Sequence, residues 1–168
     1  DVLIEYAAGC SREENDFVNI PNEYLRTSTT DKPDQGLLGK YYNNPSFKGE
    51  PVITQIDEQI DFRWTLFSPD PEKIDYDWYS VLWEGKLIGP TNGKVNIGVE
   101  GNDGYRLYID DNLIVDNWVQ SSFSKITEKS GHYPQIDFCF YIILYAMSVL
   151  SLLLENSPEG EKISAVWC

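Results

Sequence analysis

Three short strand signals in succession, each closed by a turn, constrain the fold of this chain more than any other feature. Apolar and polar residues alternate at positions 94–100, and two further strand signals follow at 105–109 and 113–115. Turns rich in Asn, Asp and Gly separate them at 101–104 and 110–112. Such alternation is typical of half-buried antiparallel strands, and these turn residues tolerate the positive φ of tight hairpins. The stretch therefore predicts a three-stranded meander.

The same alternation recurs earlier in the chain, where Ile60, Phe62 and Trp64 alternate with polar residues. Trp83 also stands between a leucine and a glutamate, so we expect Trp64 and Trp83 to be core residues. Aromatic residues make up 14% of the chain, and large flat side chains pack well on a pleated surface. Several such units at this spacing indicate a sandwich or a barrel and argue against a helical or βαβ fold.

A change of composition divides the chain near Gly36. Residues 1–10 have the character of a short apolar strand, and residues 11–35 are polar and acidic, as in a linker. We therefore expect residues 1–35 to be a stub and linker from a preceding unit, and residues 36–168 to form the β-domain. We also expect the chain to be a fragment of a longer protein.

Residues 138–154 are anomalous because this run of 17 residues carries no charge. The length is the lower limit for a helix that spans a bilayer. Asp137 and Glu155 flank the run, whereas basic residues typically flank a membrane span, so we do not expect a membrane partner. Two other interpretations stay open: a buried pair of strands, or a segment foreign to the fold that an insertion or a gene-model error introduced.

Charge and cysteine content argue against several classes of function. The formal net charge of −14 repels phosphate backbones, so we expect no nucleic-acid partner. Three distant cysteines (Cys10, Cys139 and Cys168) and the single His132 provide no metal-ligand spacing. No cofactor is therefore implied, and the cellular compartment stays open.

Several sequence blocks occur in an order that resembles a known family. The strongest block, at 98–110, contains the Gly-Asn-Asp-Gly turn and the strand signal that follows it. It is similar to the protective-antigen fourteen-kilodalton domain, whose fold is a two-layer antiparallel β-sandwich. The resemblance implies this all-β fold for residues 36–168. The matching blocks are 36–42, 60–64, 81–85, 98–110 and 116–118.

The flanks extend the resemblance. Residues 2–10, followed by Ile20 and Pro21, are similar to the way this module is inserted into the α/β domain of glycoside hydrolase family three enzymes, which are mostly β-glucosidases and β-xylosidases. The resemblance implies that the insert leans over the active-site mouth and shapes the outer sugar subsites. It implies an oligosaccharide or glucoside substrate and the rest of the parent chain as partners. The two catalytic carboxyl groups of such an enzyme lie elsewhere, so we expect no catalytic residue here.

Aromatic and polar residues that meet at strand ends are the candidates for sugar contact. Sugar rings present apolar C–H faces to aromatic planes, while Asp and Asn bind hydroxyl groups. Some of these residues end a strand, and others close a long loop of the kind that reaches a neighbouring site. A plain packing role competes with sugar contact for each of them. The candidates are Asp116, Asn117, Trp118, Trp78 and Tyr79.

Other polar residues near turns have two interpretations each. Asp103 and Arg106 either form an ion pair that fixes the turn or contact sugar. Asp110 and Asp111 either turn a hairpin or hold a calcium ion, as an adjacent aspartate pair does in some sugar-binding adhesins with the resembling fold.

Together with these features, the resemblance implies a carbohydrate-binding, substrate-selecting module of a family-three β-glucosidase. Such a module narrows the pocket for β-linked gluco-oligosaccharides or aryl glucosides, while the parent enzyme hydrolyses terminal β-D-glucosyl residues. The alternative is a stand-alone glycan-binding or adhesion module without enzymatic activity.

Overall fold

The structure, a computed structural model, describes residues 17–27, 35–64, 67–88, 94–119, 125–132, 135–144 and 149–156. These residues form twelve β-strands and one short 3-10 turn at Asn22–Tyr24. Among the described residues, no helix is long and apolar enough to cross a membrane. The strands are β1 (Val18–Asn19), β2 (Leu25–Arg26), β3 (Leu37–Tyr42), β4 (Ile53–Asp57), β5 (Asp61–Arg63), β6 (Tyr79–Ile88), β7 (Lys94–Gly101), β8 (Gly104–Ile109), β9 (Asn112–Asn117), β10 (Lys125–His132), β11 (Gln135–Leu144) and β12 (Val149–Asn156).

The strands form two antiparallel sheets, which confirms the predicted all-β fold. In the seven-stranded sheet the order is β4-β3-β6-β11-β8-β9. The short strand β2 also pairs with β6, beyond the N-terminal end of β3. In the five-stranded sheet the order is β1-β12-β7-β10, and β5 pairs with β12. The inward side chains of both sheets form one core, in which Phe62 of β5 stacks on Trp83 of β6 with 5.5 Å between ring centroids. Trp83 is buried and Trp64 packs against the same core, as expected.

The predicted three-stranded meander is wrong at its first turn. The β8–β9 hairpin forms, but β7 pairs with β10 and β12 in one sheet while β8 pairs with β9 and β11 in the other. The turn between β7 and β8 therefore crosses from sheet to sheet. Because the crossing passes along the edge of the core, its residues Asn102 and Asp103 are buried.

Residues N-terminal of Gly36 contribute to both sheets. β1 pairs with β12 and β2 pairs with β6, and the side chains of Ile20 and Leu25 belong to the core. The sandwich thus includes residues 18–26, which the predicted boundary assigns to the preceding unit. The origin of residues 1–35 in a host α/β domain stays a prediction, and residues 1–16 lie outside the described part.

The uncharged run at 138–154 contributes strands to both sheets. Residues 138–144 belong to β11, which lies between β6 and β8, and residues 149–154 belong to β12, which lies beside β7. The interpretation as a membrane helix is therefore wrong for these residues. They form strands, as one alternative predicted, but the two strands lie in different sheets and do not pair with each other.

Strand ends from both sheets meet at one end of the sandwich, which we call the loop end. It carries the described connecting residues 43–52, 67–78, 102–103 and 118–119, because β3, β5, β7 and β9 end there while β6, β8 and β10 begin there. The register places Ser80 and Gly104 on opposite sides of Ile143 of β11. The β8–β9 turn lies at the opposite end.

A buried carboxylate joins three strands of the seven-stranded sheet. Asp57 of β4 is 7% exposed, and its Oδ2 accepts hydrogen bonds from Tyr41 Oη and Trp83 Nε1, both at 2.5 Å. Its Oδ1 accepts a third from Gln55 Nε2 at 2.7 Å. Burial and, after it, the charge of Asp57 raise the pKa of Tyr41 far above its ordinary value. The tyrosine therefore stays a hydrogen-bond donor at neutral pH.

Candidate functional site

A groove of about 420 Å³ opens at the loop end between two connections of the seven-stranded sheet. One wall is the turn after β3, and the other is the segment that leads into β6. Two aromatic side chains of the second wall are prominent, with Tyr76 58% exposed and Trp78 56% exposed. The lining residues are Asn43, Asn44, Pro45, Asp75, Tyr76, Asp77 and Trp78.

The two walls are joined by a reciprocal pair of hydrogen bonds. Asn43 Nδ2 donates to Asp75 Oδ2 at 3.1 Å, and the backbone N–H of Asp75 donates to Asn43 Oδ1 at 2.9 Å. Ser80 Oγ of β6 also donates to the carbonyl of Asn44 at 2.7 Å. The width of the groove is therefore set by contacts within the protein.

Asn44 shapes the turn that forms the first wall. Its Oδ1 accepts hydrogen bonds from the N–H and Oγ of Ser46 and from the N–H of Lys48, and its Nδ2 donates to the Lys48 carbonyl. An Asn side chain that satisfies neighbouring backbone groups is a common way to fix a turn. This turn also packs Phe47 edge-on against Tyr42, with 5.7 Å between ring centroids.

The second wall is anchored by a turn at 70–74. Asp70 accepts hydrogen bonds from the N–H groups of Glu72, Lys73 and Ile74, through its side chain in the first case and its carbonyl in the other two. The Ile74 side chain is buried in the core. A hydrogen bond from the Lys73 side chain lowers the pKa of Asp70, so the carboxylate that holds the turn stays ionised. The segment is thus fixed to the scaffold just before the groove residues.

Trp78 has an unusual backbone conformation. Its φ is 63°, in the left-handed region, where a bulky side chain is a genuine outlier. Such conformations cost of order 1–3 kcal/mol and cluster at functional sites. The half-exposed indole of this strained residue is part of the groove lining.

A second cluster at the loop end surrounds Trp118. The Arg106 guanidinium lies 4.6 Å from the centre of the Trp118 ring and forms an ion pair with Asp116, with 2.9 Å between Nε and Oδ1. Gly104 lies beneath the same indole, since a Cβ added there would be 3.6 Å from the ring. Asn117 Nδ2 donates to the Asp103 carbonyl at 3.3 Å, which joins the end of β9 to the sheet crossing.

The structure separates the candidate residues predicted from the sequence into different environments. Trp78 lies in the groove, while Arg106, Asp116, Asn117 and Trp118 form the second cluster. Tyr79 is 1% exposed and belongs to the core, so its prediction as a sugar contact is wrong in this structure: the first residue of β6 points inward.

Asp103 has the environment of a turn-fixing residue. It is 3% exposed and has a φ of 66°, in the middle of the sheet crossing. The expected ion pair of Arg106 with Asp103 is replaced by the pair with Asp116. Arg106 and Asp116 face each other across the β8–β9 ladder.

Asp110 and Asp111 lie far from the loop end. Both are exposed and have positive φ, 48° and 63°, in the two-residue turn between β8 and β9, and Asn112 Nδ2 donates to the Asp110 carbonyl. This is the hairpin turn of the first interpretation. Among the described residues there is no group of three or more His, Cys, Asp or Glu side chains arranged to hold a metal. Calcium binding by this pair stays a prediction.

Of the seven residues that line the groove, the sequence identifies only Trp78 as a candidate. Asn43 and Asn44 have the composition of an ordinary turn, and Tyr76 lies in a long polar stretch. The available signal was the Asn-Asn-Pro sequence directly after the aromatic end of β3. That signal does not reveal which of the other loops it faces.

The groove combines two exposed aromatic rings with amide and carboxylate groups, and Asp75 and Asp77 are its charged lining residues. Aromatic planes bind the apolar faces of rings, and Asn and Asp groups exchange hydrogen bonds with hydroxyls. The arrangement therefore suits an uncharged, hydroxyl-rich ligand with flat apolar faces.

Comparison with known proteins gives related matches. The anti-sigma-I factor RsgI3 of Acetivibrio thermocellus is 35% identical over 132 residues, which are 76% of this chain and 20% of that protein. The probable beta-glucosidase K of Emericella nidulans is 28% identical over 116 residues, or 69% of this chain and 13% of that protein. The solved structure of an anti-sigma factor domain-containing protein matches with a TM-score of 0.67 and 27% identity, over 76% of this chain and 44% of that one.

The chain spans a fifth or less of the curated relatives it matches, so each match concerns one domain of a larger protein. Residues 33–134 match the PA14 domain family, which confirms the resemblance seen in the sequence. The match covers the groove and the Trp118 cluster together with most of both sheets. The two antiparallel sheets and this match show that the chain belongs to the PA14 domain family.

Proposed function

We propose that the domain binds carbohydrate in the loop-end groove. The observation that carries the proposal is the pair of half-exposed aromatic side chains, Tyr76 and Trp78, beside the amides and carboxylates of the groove. The hydrogen-bonded walls support it further, because a site that is already ordered loses less conformational entropy when it binds.

The parent protein is the finer part of the proposal. The match to a probable β-glucosidase supports a substrate-selecting role, in which the groove contributes to the outer sugar subsites of a glycosidase. In that setting the domain supplies binding energy and discrimination, while the two catalytic carboxyl groups belong to the rest of the parent chain.

The second candidate is a carbohydrate-binding module of a non-enzymatic protein. The higher identity to an anti-sigma factor, 35% against 28%, favours this alternative. In such a protein the domain would bind glycan as a receptor module. The two candidates share the groove and differ in what the parent chain does after the ligand has bound.

Isothermal titration of the chain with glucose and with cello- and laminari-oligosaccharides tests the shared claim. We expect saturable binding for at least one series. Trp78→Ala should weaken it by about two- to tenfold, since an aromatic contact contributes about 0.5–1.5 kcal/mol. Phe67→Ala is the matched control, because Phe67 is an exposed aromatic side chain outside the groove lining. Equal affinities for the two variants, or no saturable binding in either series, would refute groove binding.

The parent is identified by its remaining sequence and by one assay. If the complete protein hydrolyses an aryl β-glucoside and Trp78→Ala raises KM for oligosaccharides without changing kcat, the glycosidase proposal holds. A parent without a glycosidase barrel and without hydrolysis establishes the non-enzymatic alternative.

A further inference from the structure

We infer that Trp118 forms a second sugar platform at the loop end, and that the domain binds one extended oligosaccharide across both Trp78 and Trp118. The inference rests on the proposed function and specifies its ligand as a chain of several sugar units. Arg106 acts as the positioning residue of the second platform.

Two neighbours of the Trp118 ring belong to β8. Gly104 and Arg106 are two residues apart in β8 and therefore project from the same face of the sheet. Gly104 lies next to the six-membered ring of the indole, and the Arg106 guanidinium lies over the ring. Trp118 stays partly exposed beside these contacts, and a sugar ring can stack on the exposed part of the indole.

The spacing of the two platforms sets the size of the ligand. Trp78 directly precedes β6 and Trp118 directly follows β9, and the order β6-β11-β8-β9 separates them by three inter-strand spacings. At about 4.8 Å each, this amounts to about 14 Å between the backbones of Trp78 and Trp118. A monosaccharide cannot span this distance, whereas an oligosaccharide that lies across the strand ends can contact both rings.

Arg106 holds the Trp118 ring in place. Its guanidinium stacks on the indole while its Nε and Nη2 donate to the two carboxylate oxygens of Asp116, at 2.9 and 3.4 Å. A planar guanidinium can stack and form this paired contact at the same time, which a lysine ammonium cannot. Loss of this contact should therefore affect binding only through Trp118.

The test compares cello- or laminari-oligosaccharides of increasing length, using whichever series the wild-type chain binds. Trp118→Ala should weaken the longest ligand by about two- to tenfold and leave the disaccharide unchanged. Trp78→Ala should weaken both. Val119→Ala is the matched control, because Val119 is the exposed apolar neighbour of Trp118. Trp118→Leu keeps an apolar contact with Gly104 and replaces the alanine variant if that variant does not fold.

A double-mutant cycle tests the role of Arg106. Arg106→Lys should weaken the longest ligand in the wild-type background and have no further effect in the Trp118→Leu background. An independent effect of Arg106→Lys would refute its positioning role.

The remaining outcomes separate the inference from the function. If Trp118 variants bind every length like wild type while Trp78→Ala weakens binding, the second platform is refuted and the groove stands. If the Trp118 variants lose affinity by the same factor at every ligand length, the domain has a single compact site and no extended one. If no sugar binds, the proposed function fails and the inference fails with it.

Discussion

Replacing Asp57 with alanine tests whether a buried carboxylate holds the scaffold of the loop end together. The side chain joins β3, β4 and β6 through Tyr41, Gln55 and Trp83. Both β3 and β6 lead directly to groove walls, so this contact fixes the elements that position the site.

The expected loss follows from the donors left behind. The Tyr41 hydroxyl and the Trp83 N–H would be buried without their acceptor, at about 1–3 kcal/mol each. The desolvation cost of the carboxylate disappears at the same time and offsets part of this loss. We expect the free energy of unfolding to fall by about 3 kcal/mol, which lowers Tm by roughly 6–12 °C for a domain of this size.

Urea unfolding followed by tryptophan fluorescence, together with a thermal scan, measures the change. Asp57→Asn keeps an oxygen acceptor and should lose only about 1–2 kcal/mol. Glu58→Ala, an exposed acidic neighbour, is the control and should change stability by less than about 0.5 kcal/mol. If Asp57→Ala costs no more than Glu58→Ala, the carboxylate does not hold these strands together.

Three further predictions concern single residues. Because the pKa of Tyr41 is raised, the folded state keeps a proton that the unfolded state releases near pH 10. The stability that this proton contributes is therefore complete below pH 10. Above pH 10 the free energy of unfolding falls by up to about 1.4 kcal/mol per pH unit. Tyr41→Phe should flatten this alkaline decline in urea titrations. Asp111→Gly should raise the free energy of unfolding by about 0.5–1 kcal/mol, because glycine tolerates the positive φ of this turn, and a lower Tm would contradict the turn geometry. Trp78→Gly should be more stable than Trp78→Ala by about 1 kcal/mol in thermal unfolding, and equal stabilities would show that the backbone there is unstrained.

Local patterns predict the strands well and their partners poorly. The alternation at 94–100 and 105–109 predicts two strands and a turn, and both form. Yet Ile97 and Tyr105 point into one core from different sheets, and a hairpin would show the same alternation. The choice between hairpin and crossing depends on the partner strands β10, β11 and β12, which are remote in sequence.

Single residues at strand ends show the same limit. Tyr79 and Trp78 are neighbours with similar chemistry, but one is buried and the other half exposed, because the strand begins between them. The groove itself needs two loops separated by about thirty residues, joined by the Asn43–Asp75 hydrogen bonds. Nothing in either segment alone identifies the other.

The strands hold the scaffold and the loops form the binding site, which explains why the site is at the loop end. Buried contacts of Asp57 fix β3 and β6, and the buried side chain of Ile74 fixes the segment that leads into β6. The strain at Trp78 can persist because these surroundings determine its backbone. A mobile loop would relax that residue to negative φ and lose the groove wall. The shape of the site therefore depends on the stability of the scaffold. A variant that weakens the Asp57 contacts should also weaken ligand binding, although Asp57 does not contact the ligand.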